Sequence, residues 1–208
     1  MRSDRPIPGN PWPHDMVITV DAPNNIIEFL FIHSAWRIAS EQPLPVLVPE
    51  PHHGTSSPPP DVDVQEWSRR WQHTWERAWQ WYSRWDKAQL RAEWLRLSQT
   101  HPRLDPAFQP PFWGMEHGRD GIDGEALAAW EEQLRRKDDR TGSKEPEVVC
   151  LPAVIAAWRT GLTTVLTLPY EGYFAERVLA THLVVSNQTR TDPQLYARAL
   201  TTPLSRQE

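Results

Sequence analysis

The sequence has a single cysteine, no long uninterrupted apolar run and little lysine. The lone Cys150 excludes an internal disulfide framework and a cysteine-rich metal site, and its apolar neighbours predict a buried, unreactive thiol. The apolar stretch at residues 26–32 is short and interrupted by Glu28, and no apolar run approaches the length of a membrane span, so we expect no membrane-spanning helix. Residues 1–13 are polar and proline-rich and lack the apolar core of a signal peptide, which favours a cytoplasmic protein.

The sequence also contains fewer basic than acidic residues. The 22 Lys and Arg are outweighed by 27 Asp and Glu, giving a net charge of −5. No global positive field therefore draws the chain to nucleic acid or to an anionic membrane. The basic residues divide into 19 Arg and 3 Lys, which together make the 22. Such a bias is typical of a bacterial, GC-rich source, so the abundance of arginine alone does not indicate a function.

Proline and tryptophan are abundant, with 21 and 12 copies in 208 residues. The clustered prolines mark boundaries, because proline removes a backbone donor and ends regular elements. We predict one domain over residues 1–208 and divide it by composition. Its predicted parts are an exposed proline-rich connector (41–61), a long helix (62–99), an irregular Pro/Gly loop (100–124) and an α/β C-terminal part (148–208).

Short β-branched segments predict strands at both ends of the chain. These are residues 16–20, 163–168 and 181–186, whereas residues 173–178 fit either a hairpin strand or a helical turn. The predicted fold class is α+β and helix-dominated. One long tryptophan-rich helix is accompanied by a small, mostly antiparallel sheet built from the N- and C-terminal parts.

The long helix carries the strongest pattern in the sequence. With Val64 as position a, every a and d position through Leu95 is apolar or small except Thr74, as in a heptad seam. The g positions form a basic edge, and no acidic residue at the e positions would face them in a parallel homodimer. Self-pairing through this seam is therefore disfavoured. The g positions are Arg70, Arg77, Arg84 and Arg91.

The seam has two possible partners. One lies within the chain, because residues 124–137 form a second predicted helix with an apolar stripe of Leu127, Trp130 and Leu134. The other is a separate protein, because the long helix carries more aromatic surface than a shorter helix can cover. Three tryptophans lie beyond the a and d positions, namely Trp75, Trp79 and Trp94.

Other candidate sites are weaker. His52 and His53 lack a third metal ligand at suitable spacing, and the loop holding Asp120 and Asp123 lacks the ligand order of an EF-hand, so we predict no metal and no cofactor. No nucleophile elbow or phosphate-binding loop occurs. If the chain has a pocket, we expect it near the polar turn made by Tyr170, Glu171, Tyr173 and Arg177.

These patterns favour a non-catalytic interaction protein that docks another protein. The predicted partner-binding residues are Arg70, Trp75, Arg77, Trp79, Arg84, Arg91 and Trp94. An enzyme with a site at residues 170–177 is one alternative. A nucleic-acid-binding protein is the other, with the arginines contacting phosphates and the tryptophans stacking on bases.

Overall fold

A computed structural model of the chain describes residues 9, 11–41, 43–84, 109–139 and 145–204. The chain divides into two compact units, each assembled from segments that are separate in sequence. The sheet unit comprises Met1–Pro23, Pro45–Val48 and Arg136–Glu208, and the aromatic unit comprises Asn24–Leu44 and Pro49–Arg135.

Helices form the aromatic unit. They are α1 (Asn24–Trp36), α2 (Val64–Arg84), the one-turn α3 (Trp113–Glu116) and α4 (Gly124–Asp139), whose last residues pass into the sheet unit. The predicted long helix is described from Val64 to Arg84, and the rest of its predicted span, 85–99, lies outside the described residues. No helix in the described part of the chain is both long and apolar enough to cross a membrane.

The heptad seam of α2 packs into the core of its own unit. Phe29 of α1 lies edge-on to Trp71, Trp75 and Trp113, with ring centroids 6.1 to 6.4 Å apart. Aromatic rings favour this arrangement because the positive edge of one ring meets the negative face of another. The buried residues of α2 are Trp67, Trp71, Thr74, Trp75 and Ala78. The intramolecular alternative therefore accounts for the seam from Trp67 to Ala78, with α1 and α3 as its neighbours, whereas Val64 at the start of the seam is 50 % exposed.

The proline-rich connector is hydrogen bonded to the aromatic unit, although it was predicted to be simply exposed. The Nε1–H of Trp130 donates to the Pro49 carbonyl at 2.8 Å, and that of Trp67 donates to the Pro59 carbonyl at 3.3 Å. Both indoles keep their rings buried while their one polar group reaches the connector. Asp123 accepts from the backbone and hydroxyl of Thr55 as well as capping α4.

The described residues of the sheet unit form four strands: β1 (Thr19–Asp21), β2 (Thr164–Leu168), β3 (Ala175–Arg177) and β4 (His182–Ser186). They lie in the order β1-β2-β4-β3. The α+β class is confirmed, but the prediction of a mostly antiparallel sheet is wrong. The β1–β2 and β2–β4 pairs are parallel, and only β3–β4 is antiparallel.

The connections explain this difference. After β2 the chain crosses to the far edge of the sheet, forms β3, and returns through residues 178–181 as β4 between its two neighbours. Residues 173–178 thus contribute a hairpin strand, the first of the two predicted alternatives. Every residue of β2 and β4 is buried, as expected for parallel strands covered on both faces.

Four short helices complete the sheet unit: α5 (Pro146–Val149), α6 (Leu151–Arg159), α7 (Asn187–Thr191) and α8 (Pro193–Ala199). Ser186 caps α7 and Asp192 caps α8 through their side-chain oxygens. Val154, Leu183 and Tyr196 lie in one buried cluster, which joins α6, β4 and α8. Cys150 is buried in the same cluster, and burial raises the pKa of its thiol, as expected for an unreactive cysteine.

Candidate functional site

An open groove of about 490 Å³ runs along one side of the sheet unit. One wall is a row of small residues: Ala153, Ala156 and Ala157 on α6, and Thr160 at its C-terminal cap. The opposite wall is the chain after α8, from Leu200 to Leu204. Arg177 of β3 and the nearby Ala180 contribute the remaining lining.

Helical periodicity creates the small-residue wall. Positions 153, 156, 157 and 160 are spaced by three and four residues, so they share one face of α6. Because an alanine side chain ends at Cβ, this face leaves space between α6 and the segment beyond Leu200. That segment is joined to the sheet edge by a single bridge between Leu204 and Arg177.

Among the described residues that line the groove, Arg177 is the only charged one. It is 6 % exposed, and strand alternation directs Glu176 to the opposite, exposed side of β3. The Nε–H of Arg177 lies 3.0 Å from the Leu179 carbonyl and 3.2 Å from the Ala180 carbonyl, and Nη2 also donates to the latter. These bonds hold the guanidinium in place at the turn between β3 and β4.

The charge of Arg177 has no acidic counterpart in the described part of the chain, where no carboxylate lies within ion-pair distance of it. Burial lowers the pKa of its guanidinium, and no neighbouring acid offsets that effect. Nη1 has no hydrogen-bond partner among the described residues and is not enclosed by protein atoms. A buried cation without a counter-ion is costly, so this arrangement is suited to an anion supplied from outside.

The other residues of the predicted pocket lie away from this groove. Tyr170 is buried edge-on against Phe174, and burial raises the pKa of its hydroxyl. Glu171 is exposed at the turn. Tyr173 is partly exposed and lies under the Arg198 guanidinium, 4.6 Å from its ring centroid. Of the four predicted pocket residues, only Arg177 lines the groove.

The tryptophans proposed for partner binding differ in how far they are exposed to solvent. Trp75 is 5 % exposed and stacks on Trp71 with ring centroids 5.0 Å apart, so it belongs to the core and offers no surface. Trp79 is half-buried, with its ring edge-on to Trp75. Trp94 lies outside the described residues.

The arginine edge of α2 is partly neutralised within the chain. Arg77 makes a two-pronged ion pair with Glu116, at 2.7 and 2.9 Å. Arg70 pairs with Glu66 at 3.0 Å and lies over the ring of Trp67. Arg84 ends α2, but its side chain is not described, and Arg91 lies outside the described residues.

One contact was not anticipated from the sequence. In the aromatic unit the Ser34 hydroxyl lies 2.8 Å from Nε2 of His53, the distance expected of a nucleophile and its base. The two nearest backbone N–H groups after His53 are engaged: Gly54 donates to His52 and Thr55 to Asp123. We interpret the Ser34–His53 pair as a bond that holds the connector to α1.

The small-residue face of α6 was also missed. Its signal, alanine and threonine spaced by three and four, is present in the sequence but is equally typical of an ordinary buried helix.

In the described residues, no cluster of three or more His, Cys, Asp or Glu could hold a metal ion. No protein-family model matches the chain, and no curated protein or solved structure is significantly similar to it.

Proposed function

We propose that the sheet unit binds an organic anion in the groove beside Arg177. The observation that carries the proposal is the buried guanidinium of Arg177, a residue that lines the groove, which lacks an acidic partner among the described residues and whose Nη1 has no hydrogen-bond partner there. An anion bound in the groove would supply the counter-charge that this buried guanidinium lacks. Hydrogen bonds between charged groups contribute about 1.5–3 kcal/mol each, which is enough to select an anionic ligand.

The residues that line the groove support ligand binding without catalysis. Apart from Arg177, the residues that line the groove are apolar or carry a threonine hydroxyl, so none of them can act as a general base. Thr160 and Thr201 already donate their hydroxyl hydrogens to backbone carbonyls. The enzyme hypothesis therefore has less support at this groove than a binding role.

The protein-docking hypothesis now depends on fewer residues. Trp75 is buried and Arg70 and Arg77 are paired, so Trp79 is the one described tryptophan of the predicted set that reaches the surface. The same ion pairs reduce the support for nucleic-acid binding, since they neutralise two of the arginines that would contact phosphates. We therefore place the groove ahead of both alternatives.

Replacing Arg177 with methionine should weaken the binding of a carboxylate probe about 10- to 100-fold. Methionine retains an unbranched side chain but loses both the charge and the donor fork, which together correspond to about 1.5–3 kcal/mol. The measurement is isothermal titration calorimetry of the full chain with octanoate. Thermal unfolding of the variant, followed by circular dichroism, would verify that β3 and β4 still form.

The matched control is Arg198→Met, which removes an exposed arginine of the same unit that lies over Tyr173 rather than in the groove. It should bind octanoate within about twofold of the wild type, because its charge is screened by solvent at the surface. A second variant, Arg177→Lys, keeps the charge without the fork and should bind with intermediate affinity. Wild-type affinity in a folded Arg177→Met variant would contradict the proposal.

A further inference from the structure

We infer that the ligand of the Arg177 groove is a monocarboxylate carried on a slender, unbranched apolar chain. This inference rests on the proposed function, because it names the class of anion that the groove accepts. Three features of the groove support it: the free edge of the guanidinium, the single charge, and the row of alanines on α6.

The hydrogen bonds of Arg177 leave one edge of its guanidinium available. Nε and Nη2 both donate to the Ala180 carbonyl, so the edge between these two nitrogens is occupied by backbone. The opposite edge, between Nη1 and Nη2, retains parallel N–H donors, and Nη1 has no partner among the described residues. Two parallel N–H groups match the two oxygens of a carboxylate, which makes this edge a bidentate carboxylate receptor.

The charge of the groove favours an anion with one negative charge. In the part of the lining that the structure describes, Arg177 is the only ionisable residue and the other polar side chains are threonines. A phosphate dianion presents more oxygens and more charge than one guanidinium edge can satisfy, and its remaining charge would lie against alanine and leucine. A carboxylate has a single negative charge, which this edge of the Arg177 guanidinium can neutralise. No further charge then remains in the groove.

The shape and chemistry of the walls favour a slender apolar chain. Ala153, Ala156 and Ala157 face the Leu200–Leu204 segment, which contributes Leu200, Pro203 and Leu204. A methylene chain placed between these walls would remove apolar surface from water on both sides. Since the groove is open, each methylene would be only partly buried, which corresponds to about a twofold gain in affinity for each one added.

The test is a titration of the full chain with acetate, butyrate, hexanoate and octanoate, together with inorganic phosphate. Affinity should rise by about 50-fold from acetate to octanoate, which is about twofold for each of six methylenes. Phosphate should bind more weakly than octanoate. An acetylated tetra-alanine peptide with a free carboxylate probes the other source of this headgroup, a polypeptide end, and it too should bind more weakly than octanoate because its backbone amides would lose water in an apolar groove.

Replacement of Ala156 with leucine tests the alanine wall. Ala156 lines the groove but is exposed, so the larger side chain can enter the groove without disturbing the core. The variant should bind octanoate about tenfold more weakly than the wild type while binding acetate within about twofold. The matched control is Ala129→Leu, at an exposed helical alanine of the aromatic unit, which should leave both affinities unchanged.

The outcomes separate the ligand class from the proposed function. Binding that requires Arg177 but does not vary with chain length, or that is as tight for phosphate or the peptide as for octanoate, would overturn the monocarboxylate inference and retain anion binding. If none of these anions bound in an Arg177-dependent manner, the proposed function itself would fail. Tight octanoate binding that is weakened by Ala156→Leu and by Arg177→Met supports both.

Discussion

Replacing Trp71 with alanine should reduce the free energy of unfolding by about 3–5 kcal/mol, because it removes the largest side chain at the centre of the aromatic unit. Trp71 is fully buried, stacks on Trp75, lies edge-on to Phe29 and donates its Nε1–H to the Phe29 carbonyl at 3.0 Å. The substitution would leave a cavity between α1 and α2 and remove the hydrogen bond that Trp71 adds to the Phe29 carbonyl. A loss of this size is a large part of the total stability of a typical domain.

The measurement is urea unfolding followed by circular dichroism, with Trp79→Ala as the control on the same helix. Trp79 is half-buried, and its alanine variant should lose about 0.5–1.5 kcal/mol, mainly the edge-on contact with Trp75. Two similar losses would show that the two tryptophans are equally part of the core. A near-neutral Trp71→Ala variant would contradict the packing described for α2.

The heptad pattern of α2 could be recognised from the sequence, but what it packs against could not. Periodicity identifies which face of a helix is apolar, and the buried positions 67, 71, 74 and 78 are those that the pattern selects. Periodicity gives no information on distant segments. The neighbours are therefore the apolar α1 and the ring of Trp113, rather than the second helix with Leu127, Trp130 and Leu134.

Trp75 shows a further limit of the prediction from the heptad pattern. It lies at position e, outside a two-helix seam, and was therefore expected to be surplus surface. In a globular core the apolar stripe is wider than in a coiled coil, and an e position is often included in it. Trp75 is buried for this reason, between Trp71 on one side and Phe29 on the other.

In the sheet unit, the positions of the strands were predicted well, whereas the way the strands pair was predicted poorly. The strands around residues 164–168 and 182–186 follow from β-branched composition, which is local. Their parallel pairing depends on β3 taking the outer edge, which no local pattern specifies. The groove depends on that pairing, because it brings Arg177 of β3 to the alanines of α6, more than 15 positions earlier in the chain.

Replacing Glu147 with alanine should be as damaging to the sheet unit as the loss of Trp71 is to the aromatic unit. Glu147 of α5 makes two hydrogen bonds of 2.9 Å to Arg190 and accepts a third from the Tyr196 hydroxyl at 3.0 Å. Its side chain is 9 % exposed and that of Arg190 is 16 % exposed. The substitution removes the carboxylate that pairs with Arg190 and accepts from Tyr196, and breaking a buried ion pair costs about 3–5 kcal/mol.

Chemical denaturation would measure this loss, with Arg135→Ala as the control. Arg135 pairs with Glu132 on the surface of α4, where its side chain is 65 % exposed, and its loss should cost less than about 1 kcal/mol because solvent screens the pair. A Glu147→Ala variant as stable as that control would contradict the role assigned to the buried pair.

The contribution of Glu147 should also depend on pH. Burial alone would raise the pKa of its carboxyl, but the hydrogen bonds and charge of Arg190, with the Tyr196 hydroxyl, lower that pKa below its usual range. A carboxyl whose pKa is lower in the folded than in the unfolded state stabilises the fold above the unfolded pKa, about 4.3 for glutamate. That stabilisation is lost as the pH falls from there through the pKa of the folded state.

The stability difference between the wild type and Glu147→Gln should therefore be constant near neutral pH and shrink below about pH 4. A difference that grew on acidification would show that the pKa of Glu147 is raised in the folded protein, with burial outweighing Arg190.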